Sequence, residues 1–281
     1  MTQVGAGKYT YELIRDFPKL PKGESFGVIS RVATDSQDRL YVFQRKDPPV
    51  MVFGRDGKYL GCWGIGAVKE AHGMKIVDDV VYTTDRPDSV AVAFTLDGRP
   101  LLVLGKRGVH SDTGCEKSPY IVLRAAGPFN HPTEMMPHPN GDIYVTDGYR
   151  NCRVHRFTRD GQLVKSWGTP GKTEGTFHLP HSLAIDPDGK LYVADRSNKR
   201  VQIFSPDGDF RHVDRDGRAE RYYARQRRYL LHCRAGRRRQ ARVYLRTRCE
   251  RTGNRPLGEP SYPRRRRGLA WRHLRRVDRG P

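Results

Sequence analysis

Short apolar runs, each carrying a tyrosine, punctuate the chain from residue 40 onward. LYVFQR holds Tyr41, VYTTDR holds Tyr82, IYVTDGYR holds Tyr144 and LYVADR holds Tyr192, at intervals of 41, 62 and 48 residues. Each run is followed by an alternating apolar segment (VMVF, VAVAF, CRVHRF, RVQIF) and then by an Asp-Gly pair at Asp56-Gly57, Asp97-Gly98, Asp160-Gly161 and Asp207-Gly208. From tyrosine to turn aspartate the separations are 15, 15, 16 and 15 residues. Period-2 alternation marks strands, and Asp-Gly supplies the positive φ of a tight hairpin. A further apolar segment follows the turn, as in KYLGCWG, PLLVLG and QLVKSWG.

One unit is therefore an antiparallel sheet of about four strands, and such units repeated radially form a β-propeller of typically four to eight blades. A sandwich or an up-and-down barrel requires no such constant offset. WD40 repeats share the unit length, but their Gly-His and Trp-Asp pairs are missing here. The expected fold class is all-β, a propeller with about four intact blades.

Length and charge refine this reading. The 281 residues suffice for one large domain, and no run of 18 apolar residues could cross a membrane. The first residues lack the apolar core and small-residue cleavage site of a secretory signal, so the expected address is cytoplasmic. Five scattered cysteines without a CxxC pair fit reduced thiols. Residues 211–281 carry 24 Arg, no Lys and 6 acids, whereas residues 1–210 are nearly balanced, with 28 basic and 25 acidic residues. Three regions are expected: a lead-in over 1–25, blades over 26–210, and an Arg-rich, poorly ordered tail over 211–281.

Residues 129–210 contain the strings DGYRNCR, PHSLA and ADRSNKRVQ. Together they resemble the NHL-repeat propeller of peptidyl-α-hydroxyglycine α-amidating lyase and its bacterial relatives, and weaker similarity extends over 26–104. The resemblance implies a six-bladed propeller with zinc and calcium near its axis, splitting a peptidyl hydroxyglycine into a peptide amide and glyoxylate. Carried over residue by residue, it makes His72 and His181 two of three zinc histidines. Val32 and Met74 become backbone calcium ligands. Tyr149 becomes the base that takes the substrate's hydroxyl proton, with Arg45 and Arg196 as the active-site arginines holding its carboxylate. Neutral imidazole is a good zinc ligand, and a phenol acts as a base at neutral pH only where cations or a metal stabilise its phenolate. Taken singly, each histidine is more often a hydrogen-bonded loop residue, Arg196 is as readily a blade-to-blade ion pair, and Arg45 more readily so. Asp85, Asp147 and Asp195, three residues after their tyrosines, read as repeated strand-end hydrogen bonds.

Two departures stand out. Asn130 and Arg150 occupy the places of the cysteines that form a disulfide in the animal enzymes, and the third zinc histidine is missing, because the repeat stops after Phe210. Reading the gene one nucleotide further along from about Arg211 permits blade-like sequence again, with tyrosines at the places of Leu231 and Leu274 and a histidine at Pro263. Those tyrosines would follow Tyr192 by 39 and then 43 residues. The expectation is thus a frameshifted terminus and an impaired enzyme, monomeric if folded. Two other functions remain open: a non-catalytic scaffold binding peptides or proteins, and nucleic-acid binding through arginine clusters such as Arg264 to Arg267. Taken only as charge, the tail implies non-specific polyanion adhesion.

Overall fold

In the computed structural model, residues 2–6, 9–14, 16–115, 121–214 and 245–246 are described. No α-helix occurs among them, and none is long and apolar enough to cross a membrane. The strands fall into two compact units. The smaller holds β1 (Thr2–Ala6), β2 (Tyr9–Leu13) and, last in the chain, β19 (Leu245–Arg246), joined in the order β1-β2-β19.

The larger unit, residues 15–242, holds four four-stranded antiparallel meanders, in agreement with the expected propeller. Blade one is β3 (Ile29–Thr34), β4 (Leu40–Gln44), β5 (Val50–Phe53) and β6 (Tyr59–Trp63). Blade two is β7 (Ala71–Val77), β8 (Val80–Asp85), β9 (Val90–Thr95) and β10 (Pro100–Leu104). Blade three is β11 (Pro132–Pro137), β12 (Ile143–Asp147), β13 (Arg153–Phe157) and β14 (Leu163–Trp167). Blade four is β15 (Pro180–Ile185), β16 (Leu191–Asp195), β17 (Arg200–Phe204) and β18 (Phe210–Asp214).

The repeated residues earn their places locally. Tyr41, Tyr82, Tyr144 and Tyr192 all lie in second strands, opposite Ala33, Lys75, Met136 and Ala184. The Tyr41 and Tyr192 hydroxyls donate to Asp35 and Asp186 in the preceding hairpin, while Tyr144 reaches the Pro206 carbonyl of blade four at 2.7 Å. Each Asp-Gly pair joins a third to a fourth strand, with glycine φ of 82, 88, 92 and 82°. A one-residue register shift follows each turn, the three-residue hairpin with a glycine bulge.

The core lies between blades, so both faces of an inner blade are buried. In β9, Val90, Val92 and Phe94 pack on blade one, whereas Ala91 and Ala93 pack on Phe129 and blade three. The alternation of VAVAF is thus one of large and small residues. Met136, Tyr144, Val154 and Trp167 meet Leu183, Leu191, Val193 and Phe204 between blades three and four. Trp63 and Trp167, each ending a fourth strand, lie against the turn glycines Gly98 and Gly208 of the next blade, where a Cβ would come within 2.7 and 2.8 Å of the indole.

One boundary is corrected. Blade four pairs through Asp214, beyond the expected limit at 210. A blade needs a fourth strand after its Asp-Gly turn, and Phe210 and Val213 are half-buried while Arg211 and His212 remain exposed. Residues 215–244 and 247–281 of the Arg-rich tail, with the frame change and the arginine clusters placed there, lie outside the described residues.

Phe204 is fully buried between blades three and four, whereas Val103 is exposed. Phe204→Ala should lower the unfolding free energy by about 3–5 kcal/mol, and Val103→Ala by no more than about 0.5 kcal/mol, in urea titrations followed by tryptophan fluorescence.

Candidate functional site at the blade axis

The first strands β3, β7, β11 and β15 neighbour one another in that order. Each begins with a register shift, between Ile29 and Arg31, Ala71 and Met74, Pro132 and Glu134, and Pro180 and Ser182. The residues at the shifts are Ser30, His72, Thr133 and His181, and a bulge is the device by which a strand re-aims a side chain. Each of the first three reaches the next blade. Ser30 Oγ donates to the Ala71 carbonyl at 2.7 Å, His72 Nδ1 to Thr133 O at 2.7 Å, and Thr133 Oγ1 to Pro180 O at 2.8 Å. His72 and His181 therefore hold equivalent places inside β7 and β15, with blade three between them.

Tyr149 joins them from the loop after β12. Gly148 must precede it without a side chain, because a Cβ there would sit 2.2 Å from the Pro180 carbonyl. The Tyr149 hydroxyl lies 3.2 Å from His72 Nε2 and 3.2 Å from His181 Nε2, and the two imidazole centroids are 4.9 Å apart. A carbonyl only accepts, so His72 carries its proton on Nδ1 and presents a lone pair at Nε2. Burial, then the neighbouring His181, pushes His72 down to about 3; burial, then Arg31 and Arg196, pushes His181 down to about 4. Both rings are neutral at pH 7, the state a metal ligand requires. Among the described residues no group of three or more His, Cys, Asp and Glu gathers to hold a metal. Two imidazoles fit zinc in chemistry and fall one short of the three protein ligands usual in a catalytic site.

The arginines part company. Arg45 is engaged between blades, its Nε donating to Ala71 O at 3.2 Å and its Nη1 3.4 Å from Glu70. Arg196 is exposed, lacks an ion-pair partner among the described residues, and sends its charge to His181. Val32 and Met74 lie in β3 and β7, the first strands of neighbouring blades, paired with Val42 and Thr83. Asp85, Asp147 and Asp195 do accept backbone N–H groups at strand ends, from Lys69 and Glu70, from Asn130, and from His178 and Leu179.

Sequence reasoning missed Glu134 and Arg86. Glu134 is fully buried, accepting from Ser182 Oγ and Leu183 N at 2.5 and 2.8 Å, with Arg31 and Lys75 at 3.6 and 3.5 Å. Burial raises its pKa, yet Lys75, Arg31 and the two donors outweigh that and hold it below the ordinary carboxylate value. It thereby ties blades one, two and four to blade three. Its signal was an acid inside the buried strand PTEMMP. Arg86 stacks on Tyr149 with its Cζ 5.0 Å from the ring centroid; its signal was its place after Asp85, which matches Arg196 after Asp195.

The family model for the NHL repeat matches residues 177–204, from the approach to β15 through β17. This chain is an NHL-repeat propeller. Human NHL repeat-containing protein 3 is 31% identical to it over 213 residues, covering 71% of this chain and 58% of that protein. Mouse peptidyl-glycine alpha-amidating monooxygenase is 30% identical over 247 residues, 73% of this chain and 24% of that protein. Peptidyl-alpha-hydroxyglycine alpha-amidating lyase 1 of Drosophila melanogaster is 31% identical over 168 residues, 55% of this chain and 29% of that protein. Among solved structures, a streptogramin B lyase superposes with a TM-score of 0.51 at 13% identity, over 72% of this chain and 58% of that one, a likeness of fold alone. The NHL-repeat chain thus spans less than two thirds of the length of each of these relatives.

His131, beside the site in blade three, is pushed down to about 4 by burial and then by Arg150 and His110. Below its unfolded value of 6.5 the unfolded chain takes up this proton while the folded chain does not. Stability should therefore fall as pH drops from about 6.5 towards 4, and His131→Gln should flatten that part of a denaturation-against-pH profile.

Proposed function

We propose that this NHL-repeat propeller is a metal-assisted lyase of the amidating type, acting on a peptidyl-α-hydroxyglycine or a similar small hydroxy acid derivative. One observation carries the reading: two neutral imidazoles and one phenol converge at the blade axis. His72 and His181 would hold zinc through Nε2, with backbone oxygens of Val32 and Met74 serving calcium. Zinc, when bound, supplies a Lewis acid that polarises a substrate oxygen. Tyr149 then takes the proton of the α-hydroxyl. The electron pair of that O–H bond forms the carbonyl of glyoxylate as the C–N bond breaks, and the proton taken up by Tyr149 passes to the amide nitrogen, which leaves with the C–N bonding pair. Arg196, free to form a fork to a carboxylate, holds the acid end of the substrate, while Arg45 is committed to Glu70 and shapes the wall. The relatives named as amidating lyases support the same chemistry.

With two histidines in place, zinc should bind weakly and glyoxylate release should be low or nil. Both should rise in a chain whose coding frame is restored from about codon 211, which would supply the third histidine. In that restored chain Tyr149→Phe should abolish glyoxylate release and leave zinc binding unchanged, because the phenol acts on the substrate proton. If the restored chain binds no zinc by calorimetry, the lyase reading fails and a peptide-binding scaffold takes its place.

The tail carries a separate proposal, that its adhesion to nucleic acid is electrostatic only. Binding to DNA should then disappear in moderate salt, show no sequence preference, and be lost on deleting residues 215–281. Sequence-selective binding that persists at high salt would overturn it.

A further inference from the structure

We infer that Arg86 is a positioning residue of the candidate site, held by Glu70 and in turn holding the Tyr149 ring so that its hydroxyl rests between the two imidazoles. The inference rests on taking His72, Tyr149 and His181 as one site.

The repeat frame places Arg86 there. The residue after the second strand is Arg45 in blade one, Arg86 in blade two and Arg196 in blade four, whereas blade three has Gly148 and then Tyr149. Arg86 therefore comes from the blade beside Tyr149 and lies over its ring, 5.0 Å from Cζ to centroid. Its Nη2 is 2.5 Å from Glu70 Oε1, and its backbone N–H donates to the Glu70 carbonyl at 3.3 Å. The same Glu70 oxygen faces Arg45 Nη1 at 3.4 Å, so one carboxylate fixes two of the arginines.

Two further features separate this contact from ordinary packing. Arg86 Nε is buried without a hydrogen-bond partner among the described residues, which leaves the Glu70 carboxylate and the Tyr149 ring as the described partners of the guanidinium. The stacked face of the ring leaves its hydroxyl free for the imidazoles: the His72 ring stands at 85° to the tyrosine ring and the His181 ring at 75°. Cation–π contact favours guanidinium over a ring face, and its planar fork cannot be reproduced fully by an ammonium group.

The test uses the whole chain with ¹⁵N-labelled histidine, whose ten residues report fold and site together. Tyr149→Phe removes the hydroxyl and should displace the Nε2 signals of His72 and His181. Arg86→Gln should reproduce that displacement although it leaves Tyr149 in place, Arg86→Lys should restore most of the parental positions, and Glu70→Gln should displace them in part. Parental histidine signals in Arg86→Gln, or in Tyr149→Phe, would overturn the inference. If Arg86→Gln disturbs all ten histidines, the fold has been lost, and Glu70→Gln decides: displaced site signals support the inference and parental ones overturn it. Glyoxylate release is measured separately in the frame-restored chain, so absence of turnover there sinks the lyase reading and leaves this one standing.

Discussion

A bulge at the start of each first strand governs the architecture. It turns one side chain per blade out of the ladder and lets that side chain donate a hydrogen bond to a backbone carbonyl of another blade, as Ser30, His72 and Thr133 do to Ala71, Thr133 and Pro180. The same bond that joins blades two and three fixes the tautomer of His72. Assembly and chemistry are therefore coupled at one position. The close approach this demands accounts for Gly73 and Gly148, whose added Cβ atoms would stand 2.4 Å from Thr133 O and 2.2 Å from Pro180 O.

Electrostatics follow from that geometry. Arg31, Arg45, Arg86 and Arg196 gather about the axis, with Glu70 and Glu134 as the facing carboxylates. Glu70 is shared by Arg45 and Arg86, and Glu134 is shared by Arg31 and Lys75. Burial first, and then His181 beside His72 and Arg31 and Arg196 beside His181, keep both site imidazoles unprotonated. The one arginine of this group without an ion pair among the described residues is Arg196, the group that the proposed reaction would set against the substrate carboxylate.

The blades were legible because their signals are local. Tyrosine to turn is a distance within one hairpin, and the second, third and most fourth strands followed from it. The first strands were not. Sequences such as PTEMMP and AHGMKIV combine proline, glycine, glutamate and histidine because they face the axis and answer to other blades. His72, His181 and Tyr149 were reached through resemblance, and the structure brings their polar atoms together; Glu134 and Arg86 act through partners 16 to 103 residues away, from Glu70 to Arg31, which no local pattern encodes. The blade boundary failed for the opposite reason: β18 depends on backbone pairing and two half-buried side chains, so a change of composition at Arg211 did not end it.

The bulge rule also makes the two histidines unequal. His72 donates from Nδ1 to a carbonyl that blade three supplies, so its Nε2 lone pair is present by construction. His181 is the last described residue of the series, and no acceptor for its Nδ1 occurs among the described residues. Until such an acceptor fixes the ring, His181 can carry its proton on Nε2 and donate it to Tyr149, whose own proton then goes to His72. In that state only one imidazole offers a lone pair to a metal. Moving the His181 proton to Nδ1 frees the second, and the phenol must then give up one of its two imidazole hydrogen bonds, because it has a single proton to share between two acceptors. For the proposed zinc site, affinity would therefore depend on the tautomer of His181 as well as on how many histidines face the centre.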